Sequence, residues 1–141
     1  MNYILDACAM LAFLNDEEGA EKIEDLLNQS AASDISVSMS IINLFEVYYG
    51  ELRDKGDEIA QIVLDMVQHY SIKIISTISE QVFREAAHLK AAHKMSIADC
   101  IGLATAVELS GQFVSSDHHE LDVVASDLHL TSENSLILWF R

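Results

Sequence analysis

The sequence predicts an α/β domain in which a short-stranded, mostly parallel sheet is covered by helices on both faces, a three-layer α/β/α arrangement. Three observations carry that prediction. Apolar runs of four or five residues alternate with segments of helical periodicity, and no hairpin turn signal joins any two runs. The 141 residues hold no repeat, linker or low-complexity stretch, so residues 1–141 read as one domain. A chain of this length buries roughly two-thirds of the surface its unfolded form exposes, enough for a core without disulfide or metal staples.

Residues 2–5 form the first strand, which ends at Asp6, and Ala7 to Leu14 a short helix. Asp16 is expected to cap the next helix, whose stripe of Ile23, Leu26 and Leu27 runs among Glu21, Lys22, Glu24 and Asp25. Ile35, Val37 and Met39 alternate with Ser36 and Ser38, as in a half-buried strand. A helix follows from Ser40 through Leu44, Tyr48 and Leu52 to a stop near Gly56. Asp57 to Tyr70 is again amphipathic, and Ile72 to Ile75 is a strand. Thr77 and Glu80 have capping-box spacing and introduce a helix to about His93. Ser96 and Asp99 repeat that start signal for a helix that Gly111 stops. Phe113 and Val114 form a strand ending at Ser115-Ser116-Asp117, Asp117 caps a helix over 119–125, and residues 136–140 form a last strand. In such folds ligands bind beyond the carboxyl ends of the strands.

Cys8 and Cys100 stand in apolar surroundings without a framework spacing, which points to reduced, buried thiols and a cytoplasmic protein. No apolar run approaches the roughly 20 residues of a membrane helix, and the start lacks the basic region of a signal peptide. Charge is the compositional anomaly: 23 acids against 8 Lys plus Arg give a formal net charge of −15. A ligand held through its phosphates needs a basic face or bound cations, whereas a basic protein partner fits this charge directly.

Four acids resist the explanation of solvated surface. Asp6 follows Tyr3-Ile4-Leu5 at the end of a strand, and Asp117 follows Phe113-Val114 in the same way. Glu46 sits among Leu44, Phe45, Val47 and Tyr48, and Asp99 opens a helix nearly devoid of charge. Each alone is readable as a cap or a helix-end acid. No Lys or Arg lies within six residues of Asp6, Glu46 or Asp117, and unpaired carboxylates gathered at one sheet edge need protons or cations. Hard oxygen ligands suit Mg²⁺ or Mn²⁺, and such clusters serve phosphodiester hydrolysis.

The segments Tyr3-Ile4-Leu5-Asp6-Ala7-Cys8-Ala9, Asn43-Leu44-Phe45-Glu46-Val47, Ser96-Ile97-Ala98-Asp99-Cys100 and Val114-Ser115-Ser116-Asp117-His118-His119-Glu120-Leu121, in this order, resemble the PIN-domain nucleases. They are most similar to the VapC-type toxins of bacterial toxin-antitoxin pairs. The resemblance spans the chain and implies a PIN-type fold, endoribonuclease activity on RNA, a site for Mg²⁺ or Mn²⁺, a homodimer and an inhibiting antitoxin. By position it assigns Asp6 and Asp99 as metal ligands, Glu46 and Asp117 as completing the coordination or orienting water, and Ser115 as a supporting hydroxyl. Cys8 stands where many relatives have Ser or Thr, and a thiol is the weaker hydrogen-bond partner. An antitoxin is expected to present Arg or Lys to the acidic pocket.

Other residues carry weaker signals. Glu120 is a candidate fifth acid, although a capping box with Asp117 explains it equally well. His118 and His119 read as solvated more readily than as phosphate ligands. The helical stretch 79–94 leans basic through Arg84, His88, Lys90, His93 and Lys94, and a solvated face is the simpler reading. Phe45, Tyr48 and Tyr49 suit core or dimer packing. A receiver domain would need an acid pair after the first strand and a Lys after the fifth, and a haloacid-dehalogenase-type phosphatase an Asp in place of Cys8. Zinc-hydrolase spacing and glycine phosphate loops are absent. The competing class is a catalytically inactive acidic module of the same fold that binds a basic protein.

Overall fold

The computed structural model describes residues 1–127 and 135–141. Strand β1 (Asn2–Leu5) is followed by α1 (Ala7–Leu14), α2 (Ala20–Ala32), β2 (Ser36–Ser40), α3 (Ile41–Lys55), α4 (Asp57–His69) and β3 (Lys73–Ile75). The second half runs α5 (Glu80–Ala92), α6 (Ile97–Glu108), β4 (Gln112–Ser115), α7 (His118–Asp127) and β5 (Ile137–Trp139). The strands form one sheet of order β3-β2-β1-β4-β5 in which every pairing is parallel.

Strand alternation divides the core between two faces. Leu5 and Val114 point into one cluster, with Met10 from α1, Ile23 and Leu27 from α2, Val47 from α3 and Val63 from α4. Their neighbours Ile4 and Phe113 point into the other, with Val82 and Leu89 from α5, Leu103 from α6 and Leu121 from α7. This is the three-layer arrangement expected. Among the described residues no helix is long and apolar enough to cross a membrane.

Strand order reverses between β1 and β4: the first half of the chain winds toward β3 and the second toward β5. The carboxyl ends of β1 and β4 therefore open the crevice in which parallel sheets bind ligands. Leu5 pairs with Val114, and the Asp6 amide donates to the Val114 carbonyl at 3.1 Å, so Asp6 and Asp117 leave the sheet side by side.

Several local expectations are corrected. Asp16 does not cap α2; it lies in the preceding turn at φ 52°, and the cap position is Gly19 at φ 86°. A Cβ on Gly19 would meet the Phe140 carbonyl at 2.7 Å and the Arg141 side chain at 3.3 Å, so a contact from the far end of the chain fixes where α2 starts. Thr77 yields to Ser79, whose hydroxyl accepts from the Val82 amide at 3.1 Å and caps α5. The strand read as half-buried, β2, is buried from Val37 through Ser40, because β1 and β3 flank it and helices cover both faces. Cys100 is buried and Cys8 half-buried, both as free thiols. Of the core or dimer packing expected for Phe45 and Tyr49, the core half is overturned: they stack on each other, 62% and 48% exposed, on the outer side of α3.

Candidate metal centre

Asp6 is 1% exposed, and both of its carboxylate oxygens are engaged. The Ala9 amide donates to Oδ1 at 2.6 Å, which makes Asp6 the cap of α1, and the Ser115 hydroxyl donates to Oδ2 at 2.5 Å. A carboxylate has about four lone-pair sites, so these two bonds fix the group and leave it free to bind a cation. Ser115, fully buried at the end of β4, also accepts from the Asp117 amide at 3.1 Å. One hydroxyl thus holds the two strand-end acids in register.

Asp99 enters from the first turn of α6, where the Ser96 hydroxyl caps the helix by accepting from the Asp99 amide at 3.1 Å. Asp117 caps α7 through Oδ1, which accepts from the Glu120 amide at 3.1 Å. The reciprocal half of that capping box is not made. Instead Glu120 turns its carboxylate toward α6, where Oε2 accepts from the Ser96 amide at 3.3 Å. Asp99, Asp117 and Glu120 consequently bring one carboxylate oxygen each to within 4.8 Å of the other two. Glu120 is therefore a member of the site that the sequence left open, and the signal for it was its place one helical turn after Asp117.

The crowding is visible in the acidities. Burial pushes the Asp6 carboxyl up to about 6, with Asp117 and Glu46 adding repulsion, against the Ser115 and Ala9 hydrogen bonds that pull it down. Asp99 is pushed up to about 7 by burial first, then by the Asp6 charge and the hydrogen bond it shares with Glu120. Glu46, on α3, stands at the exposed rim and is raised by partial burial and by Glu120. Burial and the charges of Asp6, Asp99 and Asp117 push the Cys8 thiol up to about 12. Cys8 therefore stays protonated beside the acids, neither a thiolate ligand nor a nucleophile.

His118 faces away from the acids. It stacks on Trp139 with ring centroids 3.9 Å apart, its Nδ1 lies 2.9 Å from Asp122, and Nε2 donates to the Arg141 carbonyl at 3.0 Å.

The donor set fits a hard divalent cation. On octahedral Mg²⁺ at 2.0–2.1 Å neighbouring ligands are about 2.9 Å apart and opposite ones about 4 Å, so three oxygens within 4.8 Å of one another need to close by up to about 2 Å, a side-chain adjustment, to share one ion. All the donors are oxygens, and the carboxyls raised by mutual repulsion are those a cation would relieve. Asp99, Asp117 and Glu120 are placed to hold the ion directly, with Asp6 beside them.

A scan against protein families matches the PIN domain over residues 3–126. No curated protein matches the sequence significantly. Among solved structures, the chain is similar to VapBC2 from Rickettsia felis bound to a promoter DNA fragment, at 17% identity and TM-score 0.74, covering 99% of this chain and 98% of that one. DNA-bound VapBC from Salmonella typhimurium aligns at 14% identity and TM-score 0.70, over 100% of this chain and 99% of that one. VapC20 of Mycobacterium tuberculosis, described as a sarcin-ricin loop cleaving toxin, aligns at 14% identity and TM-score 0.61, over 78% and 85%. At these identities the likeness is one of fold.

Proposed function

The chain belongs to the PIN domain family, and on that premise we propose that it is a Mg²⁺- or Mn²⁺-dependent endoribonuclease, the toxin of a toxin-antitoxin pair. The observation that carries this reading is the convergence of the Asp99, Asp117 and Glu120 carboxylates at the carboxyl edge of the sheet, beside the anchored Asp6. When bound there, a divalent ion supplies charge stabilisation for the phosphodiester and a more acidic water.

The protein's own contribution is position. Asp6 is held by the Ala9 amide and the Ser115 hydroxyl, so it does not reorganise when its charge is used. Asp99 and Glu120, which share a hydrogen bond, would hold the ion together with Asp117, and its charge would relieve the crowding that raises the Asp99 carboxyl. Glu46, at the open rim, orients the attacking water and accepts its proton. Cys8 packs beside the acids as a neutral thiol.

The same acidity suits a basic partner: an antitoxin segment presenting Arg or Lys to these carboxylates competes with the metal ion and with RNA. Support comes from the net charge of −15 and from the solved relatives described as VapBC assemblies. The reading includes a cytoplasmic homodimer. The test is cleavage of a mixed tRNA and structured-RNA pool by purified protein with Mn²⁺ or Mg²⁺, beside EDTA and the Asp99→Asn variant. Cleavage lost in both controls is expected. Cleavage that persists in EDTA refutes the metal-dependent reading, and no cleavage under any condition favours an inactive acidic binding module.

A further inference from the structure

Among the described residues two clefts open at the rim of the carboxylate cluster, and their charges differ. One, about 490 Å³, runs from Glu46 along α3 and is lined by Arg53 and Lys55 against Glu17, Glu46, Glu51 and Asp54. Both cations there are neutralised: Arg53 pairs with Asp54 at 2.8 Å and Lys55 with Glu51 at 3.0 Å. That cleft is net acidic and repels a phosphate chain.

The other, about 440 Å³, lies between the end of α5 and the start of α7, lined by Ala92, His93, Lys94, His119, Glu120 and Val123. Among the described residues its one acid, Glu120, belongs to the carboxylate cluster and reaches across to the Ser96 amide, two residues beyond Lys94. The cleft and the cluster therefore share a wall.

The chain has only eight Lys and Arg residues, and most are committed elsewhere. Arg53, Lys55, Arg84 and Arg141 pair with acids, and Lys90 donates to the Met95 carbonyl at 2.6 Å. Lys94 is exposed, and among the described residues no carboxylate pairs with it. In a protein of net charge −15, a cleft in which Lys94 balances Glu120 is locally neutral, whereas the α3 cleft is net acidic. Val123, 60% exposed on the same wall, offers an apolar surface to a ribose or base.

We propose that this cleft is the RNA subsite flanking the scissile bond, in which Lys94 ion-pairs a neighbouring, uncleaved phosphate while His93 and His119 line its path. The proposal rests on the nuclease reading above for the reaction, and on the cleft alone for binding. It also gives the substrate a direction, entering on the α5–α7 side and away from the acidic α3 cleft.

The experiment compares wild type, Lys94→Gln, Lys94→Arg and, as a control of equal charge change, Lys22→Gln. Fluorescence anisotropy of a labelled single-stranded RNA is followed against salt in Mn²⁺, with cleavage rates measured in parallel. For Lys94→Gln, KM and Kd rise about three- to tenfold at low salt, kcat stays within about twofold, and the slope of log K against log salt falls by about 0.7, one phosphate contact on a single strand. Lys94→Arg restores most of the affinity, and Lys22→Gln leaves it unchanged. Equal KM, Kd and slope for Lys94→Gln and wild type overturn the proposal, as does an equal loss in Lys22→Gln, which assigns the effect to net charge. If wild type cuts no RNA, the nuclease reading has failed, and the anisotropy arm still decides: weaker binding with the smaller slope supports the subsite, and unchanged or absent binding refutes it.

Discussion

Asp99→Asn should stabilise the metal-free protein, and by an amount that grows with pH. Asp99 lies at about 7 in the fold against an ordinary value of 3.8. A carboxyl raised in the folded state takes up its proton more tightly there than in the unfolded chain. Its ionisation therefore costs nothing below pH 3.8, costs progressively more as pH rises toward 7, and reaches its full value above. At 1.36 kcal/mol per unit the cost is on the order of 2 kcal/mol at pH 5.5 and 4 kcal/mol at pH 8. Asparagine is neutral at both, and its amide can donate to Glu120, so it removes the desolvation and the Asp6 repulsion together. Urea denaturation in EDTA at the two pH values reads this directly, and both lie above the sequence pI of 4.5. The variant should exceed wild type at both, by about 2 kcal/mol more at pH 8. A variant less stable than wild type at pH 8, or stabilised equally at both pH values, refutes the account of a repelling cluster.

Ser115→Ala removes the hydroxyl that bridges Asp6 and the Asp117 amide. Since that bond favours the ionised Asp6, its loss should cost about 1–3 kcal/mol at pH 8 and less at pH 5, and lower cleavage about 10- to 100-fold; equal denaturation curves would count against it. Gly102→Ala places a Cβ about one turn after Asp99, 2.5 Å from the Phe113 ring. Overpacking there should cost about 1–3 kcal/mol, read by thermal denaturation, and a variant as stable as wild type would show that the ring can yield.

Much of this architecture is written locally. Asp6 and Asp117 are legible because each directly follows an apolar strand, and Asp99 because the helix around it is almost uncharged. Glu120 is only half legible. Its spacing from Asp117 fits a capping box, and only the fold shows that Ser115 occupies the Asp117 amide and leaves the Glu120 carboxylate to the cluster. The start of α2 is not legible at all, since Gly19 is fixed by Phe140 and Arg141, which meet it only after the sheet has formed. The outward face of Phe45 and Tyr49 escapes the sequence for a related reason: helical spacing places them on one stripe, and tertiary packing decides which side of that stripe meets the core. Lys94 is visible only as one of several basic residues in the stretch 79–94 until the fold ends α5 at Ala92 and sets Lys94 against Glu120.

The measurement that reaches furthest is a calorimetric titration of Mn²⁺ into wild type and Asp99→Asn at pH 7, in two buffers of different ionisation enthalpy. Because crowding raises the Asp6 and Asp99 carboxyls toward neutrality, binding should be saturable and release a fraction of a proton up to about one, with both signals lost in the variant. No saturable binding in wild type, or identical binding to both proteins without proton release, would contradict the assignment of these carboxylates as a metal centre.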